Sequence, residues 1–294
     1  MITKTLTGVP FFDEYYGGIY RGRVMLVSGR AGSGKTVLGL QFIQQGIKQN
    51  ERCLILSGRP TDDLLIFAES LKLPLNAAVE SGNMILLEYE DYIPGRDAEQ
   101  NVTLPPDGFL QFKEIVKTHA VQRIVLDTVL PWISINPQTN LAEHVCSFVR
   151  AFERIGATTL MTMPKPASLP SMRLKNALEE VVPVSVTLST IPNADEPVWI
   201  VTKYLGEMKL DQNAPYQIFP GVGITAAGGR QDQEPARNND LIQEEKSAAQ
   251  IQPRSGDFDA IKNKKIKFSD VVPTQVHGSK VEEKELLSWL RKQT

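Results

Sequence analysis

Cysteine is scarce in this chain: Cys53 and Cys146 are the two among 294 residues. Each lies in an apolar or helical stretch, so they read as small core residues rather than a disulfide or a metal pair, and nothing implies an oxidising compartment. A dominant charge is also missing. A net charge of −2 supplies no global attraction for nucleic acid, though it leaves room for a local basic patch. No apolar run approaches the roughly 20 residues that cross a bilayer, and the first residues lack the apolar segment of a secretion signal. The expectation is a cytoplasmic protein without a membrane span. What the composition does supply is an ordinary core: with 41% hydrophobic and 22% charged residues, the length suits one large α/β domain with an appendage, or two small domains.

The run Gly29, Arg30, Ala31, Gly32, Ser33, Gly34, Lys35, Thr36 fits the phosphate-loop pattern G-x-x-x-x-G-K-[ST] at every fixed position. Val24 to Val27 precede it as a buried strand, and Val37 to Gln49 follow with apolar residues at helical spacing (Leu38, Phe42, Ile43, Ile47). In that context the glycines let successive N–H groups converge on a phosphate, and the helix start adds its positive end. Lys35 is expected to reach the β- and γ-phosphates, and the Thr36 hydroxyl to ligate Mg²⁺.

Strand-like and helix-like stretches then alternate, as in a parallel sheet covered on both faces. Expected strands are Arg52–Ser57, Met84–Leu87, Arg123–Asp127 and Thr158–Met163; expected helices are Thr61–Leu71, Phe109–His119 and Leu141–Ile155. Asp91 to Asp107 form a polar, proline-containing connection. From Val184, the segments VSVTLST, VWIVTKY and YQIF predict antiparallel strands that extend the sheet. Residues 1–228 are therefore taken as the nucleotide-binding domain. Residues 229–256, without an aromatic side chain, are taken as a flexible linker. The tail, 257–294, carries a basic cluster (Lys262, Lys264, Lys265, Lys267) and a short helix at Val281–Lys292 bearing Trp289, which suits docking either on its own domain or on a protein partner.

A phosphate loop needs a carboxylate at the end of another strand to hold the hydrated Mg²⁺. Asp127, closing RIVLD, is the candidate. The opening segment TGVPFFDEYYGGIYRGRVMLVSGRAGSGKT resembles the start of a KaiC-like domain of the RecA superfamily, matching at Thr7, Gly8, Pro10, Asp13, Gly17, Gly18 and Gly22; YQIFPGVGI resembles that family's terminal hairpin. The resemblance covers about Thr7 to Ala226. It implies a RecA-like core, ATP bound with Mg²⁺ between subunits, and a homo-oligomer, commonly a hexameric ring.

The chain departs from the pattern at two places. KaiC-like ATPases end the strand after the first helix with two glutamates that polarise the attacking water, and those positions here are Gly58 and Arg59. Arginine stays charged and cannot take the proton, and losing a positioned base costs roughly 10²- to 10⁴-fold in rate. The Lys-x-Arg pair with which the family reaches a neighbour's nucleotide survives as Lys203, but its arginine position is Leu205. Whether the chain is an enzyme is left open by these losses. The leading expectation is an ATP-binding, self-assembling regulatory or scaffolding protein with weak or no hydrolysis. One alternative is a slow ATPase using a substitute carboxylate among Glu88, Glu90 and Asp91, with Asp62 and Asp63 read as first-turn helix residues. A DNA-handling RecA relative is a weaker one, and nucleic acid is not an expected partner. Autophosphorylation, known in the family, would have Ser171 as its candidate, which reads as a loop residue before the late strands.

Overall fold

The structure, a computed structural model, describes residues 2–88, 106–130, 133, 140–190, 196–207 and 214–228. In chain order its elements are β1 (Lys4–Thr5), α1 (Pro10–Tyr16), β2 (Ile19–Tyr20), β3 (Val24–Gly29), α2 (Lys35–Lys48), β4 (Cys53–Ser57), α3 (Thr61–Ser70), α4 (Asn76–Glu80) and β5 (Met84–Glu88). They continue with α5 (Pro106–Thr118), β6 (Arg123–Asp127), α6 (Leu141–Ile155), β7 (Thr158–Pro164), α7 (Leu169–Val181), β8 (Val184–Thr190), β9 (Pro197–Tyr204), β10 (Ala214–Phe219) and β11 (Gly223–Ala226).

Nine strands form one sheet in the order β11-β10-β9-β8-β3-β7-β6-β4-β5. From β8 to β5 the neighbours are parallel, and β9, β10 and β11 add antiparallel edges. The run from Val24 to Gly29 is buried throughout, as a central parallel strand with helices on both faces must be. The alternation of side chains divides the core into two layers. Met25, Val27, Ile55 and Val125 pack under α1, α2, α3 and α4, whereas Leu26, Leu54, Leu126 and Met161 pack under α5, α6 and α7. This is an α/β protein with a RecA-like core, as the sequence implied.

The opening motif folds for a reason visible in its hydrogen bonds. Asp13 accepts from the Thr7 N–H (2.8 Å) and hydroxyl (2.7 Å) with one oxygen, and from the Gly8 N–H (2.8 Å) with the other. Pro10 starts α1, where its missing N–H costs nothing. The turn at Gly8 then lies against α2, where Gln41, 3% exposed, donates its amide to the Gly8 carbonyl (2.6 Å) and to the Ile224 carbonyl (3.2 Å), while the Ile224 N–H donates back to it (2.8 Å). One side chain thus joins the opening motif to the terminal hairpin.

At the amino-terminal end of the parallel strands, against the opening segment, Arg123 is fully buried. Each of the five N–H donors of its guanidinium has an acceptor: Glu51, the carbonyls of Leu6 and Phe42, the Thr5 hydroxyl and the Gln49 side-chain oxygen. Gly46 on α2 makes the room, since a Cβ there would meet the Arg123 Cδ at 2.5 Å.

Three helices were not legible in the sequence: α1, α4 and α7. The last one corrects a site expectation. Ser171 lies not in a loop but at the third position of α7, in a reciprocal capping box with Ser168, and Pro170 occupies the first turn. The helix α5 begins at Pro106 rather than Phe109. Glu90, Asp91, and the expected linker and tail lie outside the described residues.

The Arg123 cluster generates an ordering. Glu51→Gln leaves a buried guanidinium uncompensated and should destabilise the fold by about 3–5 kcal/mol. Arg123→Met should cost less, because the remaining Glu51 keeps its ion pair with half-exposed Arg21 (2.8 Å). Urea midpoints of the two variants check the order, and equal midpoints would contradict it.

Candidate nucleotide-binding site

The carboxyl ends of β3, β6 and β4 lie side by side or one strand apart, which is where ligands bind in open α/β sheets. From β3 the chain turns through Arg30 to Gly34 into α2. Gly32 and Gly34 have φ of 75° and 92°, and a Cβ on Gly32 would touch nothing within 4 Å, so there the backbone conformation alone demands glycine. Gly29 is needed for closeness instead, because its Cβ would lie 2.7 Å from the Leu188 carbonyl oxygen.

Lys35 folds back over this loop, its Nζ donating to the carbonyls of Gly29 (2.9 Å) and Arg30 (2.7 Å). Thr36, one residue into α2, donates its hydroxyl to Asp127 Oδ2 at 3.3 Å, and Thr162 on the intervening strand β7 donates to Oδ1 at 2.6 Å. The two expected Mg²⁺ ligands are therefore adjacent. Tyr216, on β10, supports the loop from behind by donating its hydroxyl to the Ser33 carbonyl (2.6 Å); burial pushes its pKa up to about 12, so it remains a donor at neutral pH. Neither Thr162 nor Tyr216 carries a spacing signal that sequence reasoning could use.

These residues fit a magnesium–nucleotide complex. Ser33 Oγ is buried with no hydrogen-bond partner among the described residues, and Lys35 supplies the cation. Among the described residues no group of three or more His, Cys, Asp or Glu could hold a metal. A divalent ion would rest on Thr36 and Asp127, completed by phosphate oxygens and water, the usual mode for Mg²⁺.

One of the two departures from the family pattern stands next to this set, while Lys203 and Leu205 lie at the opposite end of the strands, where the end of β9 pairs with the start of β8. Ser57, the last residue of β4, is in register with Asp127 on one side and Glu88 on the other. Gly58 and Arg59 follow it, the Arg59 N–H donating to Ser57 Oγ (3.1 Å). The Lys35 ammonium has its pKa lowered by burial; Asp127 raises it again, and the charge of Arg59 lowers it. Arg59 is thus near enough to the loop for its charge to be felt there. Glu88 has one carboxylate oxygen bound by the Thr61 N–H (3.3 Å) at the start of α3, whose first turn contains Asp62 and Asp63, as expected. Lys203, on β9, donates to the Glu179 (2.9 Å) and Glu180 (2.6 Å) carbonyls in the last turn of α7 of its own chain. Leu205 is 52% exposed just beyond β9.

A phosphate loop on the central strand, with a hydroxyl–aspartate pair beside it on a mostly parallel sheet, defines a nucleotide-binding protein of the RecA-like class. The family described as "ATPase: KaiC" matches residues 5–227, and the chain belongs to that family. It is similar to the circadian clock oscillator protein KaiC of Acaryochloris marina, 26% identical over 165 residues that cover 55% of this chain and 31% of the relative. The KaiC of Synechococcus elongatus is 26% identical over 165 residues, covering 55% and 32%. The circadian clock protein KaiC2 of Synechocystis is 49% identical over 53 residues, covering 17% and 9%. The chain spans about a third of the length of the KaiC relatives it matches. Among the described residues no helix is long and apolar enough to cross a membrane.

Two substitutions test the site. Lys35→Ala should abolish MgATP binding measured by calorimetry, and unchanged affinity would remove the assignment. Asp127→Asn should weaken binding in Mg²⁺ more than binding in EDTA; equal losses would make Asp127 purely structural. A third test concerns α7. Burial alone raises the Glu179 pKa, but hydrogen bonds from Lys175, Thr202 and Ser185 bring the net below its ordinary value of 4.5. Such a carboxylate contributes stability that is present above that value and is lost as pH falls through the folded one. Glu179→Gln should therefore lower the melting temperature at pH 7 and flatten its decline below about pH 4.5.

Proposed function

We propose that the protein binds MgATP, assembles with copies of itself through the nucleotide site, and works as a regulatory or scaffolding component with little or no hydrolysis. The observation that carries this reading is the asymmetry at the strand ends: the loop from Gly29 to Thr36 and Asp127 are complete, while β4 closes on Gly58 and Arg59. Binding and chemistry use different groups, so affinity survives where a positioned base is missing.

The substitute-base alternative has little to draw on at Glu88. Ser57 separates it from Asp127 in the ladder, two strand spacings of about 4.8 Å each, and one of its oxygens already accepts from Thr61. Self-assembly follows the family; the homo-oligomer is proposed as a ring, a hexamer being the common form. In such a ring Lys203 would first have to release the α7 carbonyls before reaching a neighbour's nucleotide. The residues beyond 228 are proposed as a linker and a tail that recruits a protein partner. ATP-dependent assembly on a cytoplasmic partner would suit such a role.

Single-turnover hydrolysis at saturating MgATP, with native mass measured in parallel, tests the reading. The unmodified protein should turn over at least about 10²-fold more slowly than a glutamate-bearing family member, and it should gain mass with MgATP. Gly58→Glu with Arg59→Glu, assayed at concentrations that saturate the variant, should speed hydrolysis. A wild-type rate equal to that of the glutamate-bearing protein would overturn binding without turnover.

A further inference from the structure

Resting on the MgATP-binding reading, we propose that Arg59 is a cation for the terminal phosphate within the same chain, making the site a discriminator of nucleoside triphosphate over diphosphate. A residue that stands where a base is lost is commonly treated as a gap. Here the replacement carries a charge, and its placement gives that charge a use.

Three features converge. The first is position: Arg59 leaves β4 two residues after Ser57, whose register partner is Asp127, and Asp127 in turn meets Thr36 at the mouth of the phosphate loop. The Arg59 backbone is tied down at that spot by its N–H bond to Ser57 Oγ (3.1 Å). The second is exposure: Arg59 is exposed while Ser57 beneath it is fully buried, so the side chain starts from an anchored base and ends in solvent at the strand ends. The third is charge. Lys35 is held by two neutral carbonyl oxygens on its own loop, and Arg59 follows the strand paired with β6 at Asp127, so both cations belong to the same end of the sheet. An anion bound between two cations at that end of the sheet gains attraction from both. The loop itself takes the inner phosphates through its backbone N–H groups. A cation on the β4 side of Asp127 therefore meets the phosphate farthest from the loop, which a diphosphate lacks.

A guanidinium is suited to this work. It is always charged and presents a planar fork of donors to phosphate oxygens. Binding ground state and transition state alike, it raises affinity without raising turnover. The arrangement would bias the chain toward its ATP-loaded form, which is what an assembly held together by an unhydrolysed nucleotide requires.

The test compares affinities for MgADP and for the non-hydrolysable triphosphate analogue MgAMP-PNP, by calorimetry, in the full chain and in Arg59→Gln and Arg59→Lys. Arg59 is exposed, so the variants should keep the wild-type melting temperature within a few degrees. The wild type should prefer the triphosphate. Arg59→Gln should lose about 10- to 100-fold in MgAMP-PNP affinity, the range of one charged hydrogen-bonding partner, while MgADP affinity stays within about twofold; Arg59→Lys should fall between. Equal losses for both nucleotides, or no loss, would overturn the discriminator and leave MgATP binding intact. A slower single turnover in Arg59→Gln with unchanged affinities would also overturn it, since Arg59 would then act on the transition state. If the wild type binds neither nucleotide and Lys35→Ala changes nothing, the MgATP reading itself fails, and the proposal fails with it.

Discussion

The side-chain amide of Gln41 is the contact on which the site depends most. It lies on α2, directly after the phosphate loop, and its hydrogen bonds fasten Gly8 on one side and Ile224 on the other. Through Ile224 it holds the β10–β11 hairpin, from which Tyr216 supports the Ser33 carbonyl and Ile218 packs within 2.9 Å of where a Gly34 Cβ would stand. A buried amide left without partners costs about 1–3 kcal/mol for each unsatisfied group. Opening motif, loop and terminal hairpin are consequently one mechanical unit, although more than 180 residues separate Gln41 from Ile224 along the chain.

Two arginines in this protein show how placement decides what a charge does. Arg123 is wholly buried, every donor is matched, and its face lies over the Phe42 ring at 4.7 Å. It has nothing left to offer a ligand, so its role is to fix β6 against α2 and the opening turn. Arg59 is exposed at the other end of the sheet, two residues past Ser57, the register partner of Asp127. A buried, saturated guanidinium specifies structure, whereas an exposed one can still meet an anion.

The strand ends differ in how far they follow the family pattern. The phosphate loop between β3 and α2 and the Thr36–Asp127 pair that joins α2 to β6 are intact. At the end of β4 this chain has Gly58 and Arg59, and two residues beyond Lys203 it has Leu205. Lys203, the remaining member of that pair, is meanwhile bound to its own α7, a structural role that the motif did not foretell.

What the sequence by itself determined were the features written in local pattern: the loop from Gly29 to Thr36, Asp127 at the end of an apolar strand, the strands with continuous apolar runs, and the family through its opening motif. Each depends on residues close together in the chain, or on a spacing that a turn imposes. The helices α1 and α4, of seven and five residues, escaped because they are too short to display a helical period, and α7 is announced mainly by a Ser168–Ser171 capping box that also reads as a loop. Only the tertiary structure decided that Thr162 and Tyr216 serve the loop, that Glu88 is occupied at the start of α3, that Lys203 is held by helix carbonyls, and that Arg59 shares its field with Lys35. These are contacts between strands brought together by crossovers, and strand order, unlike a motif, is set by which faces bury against which helices.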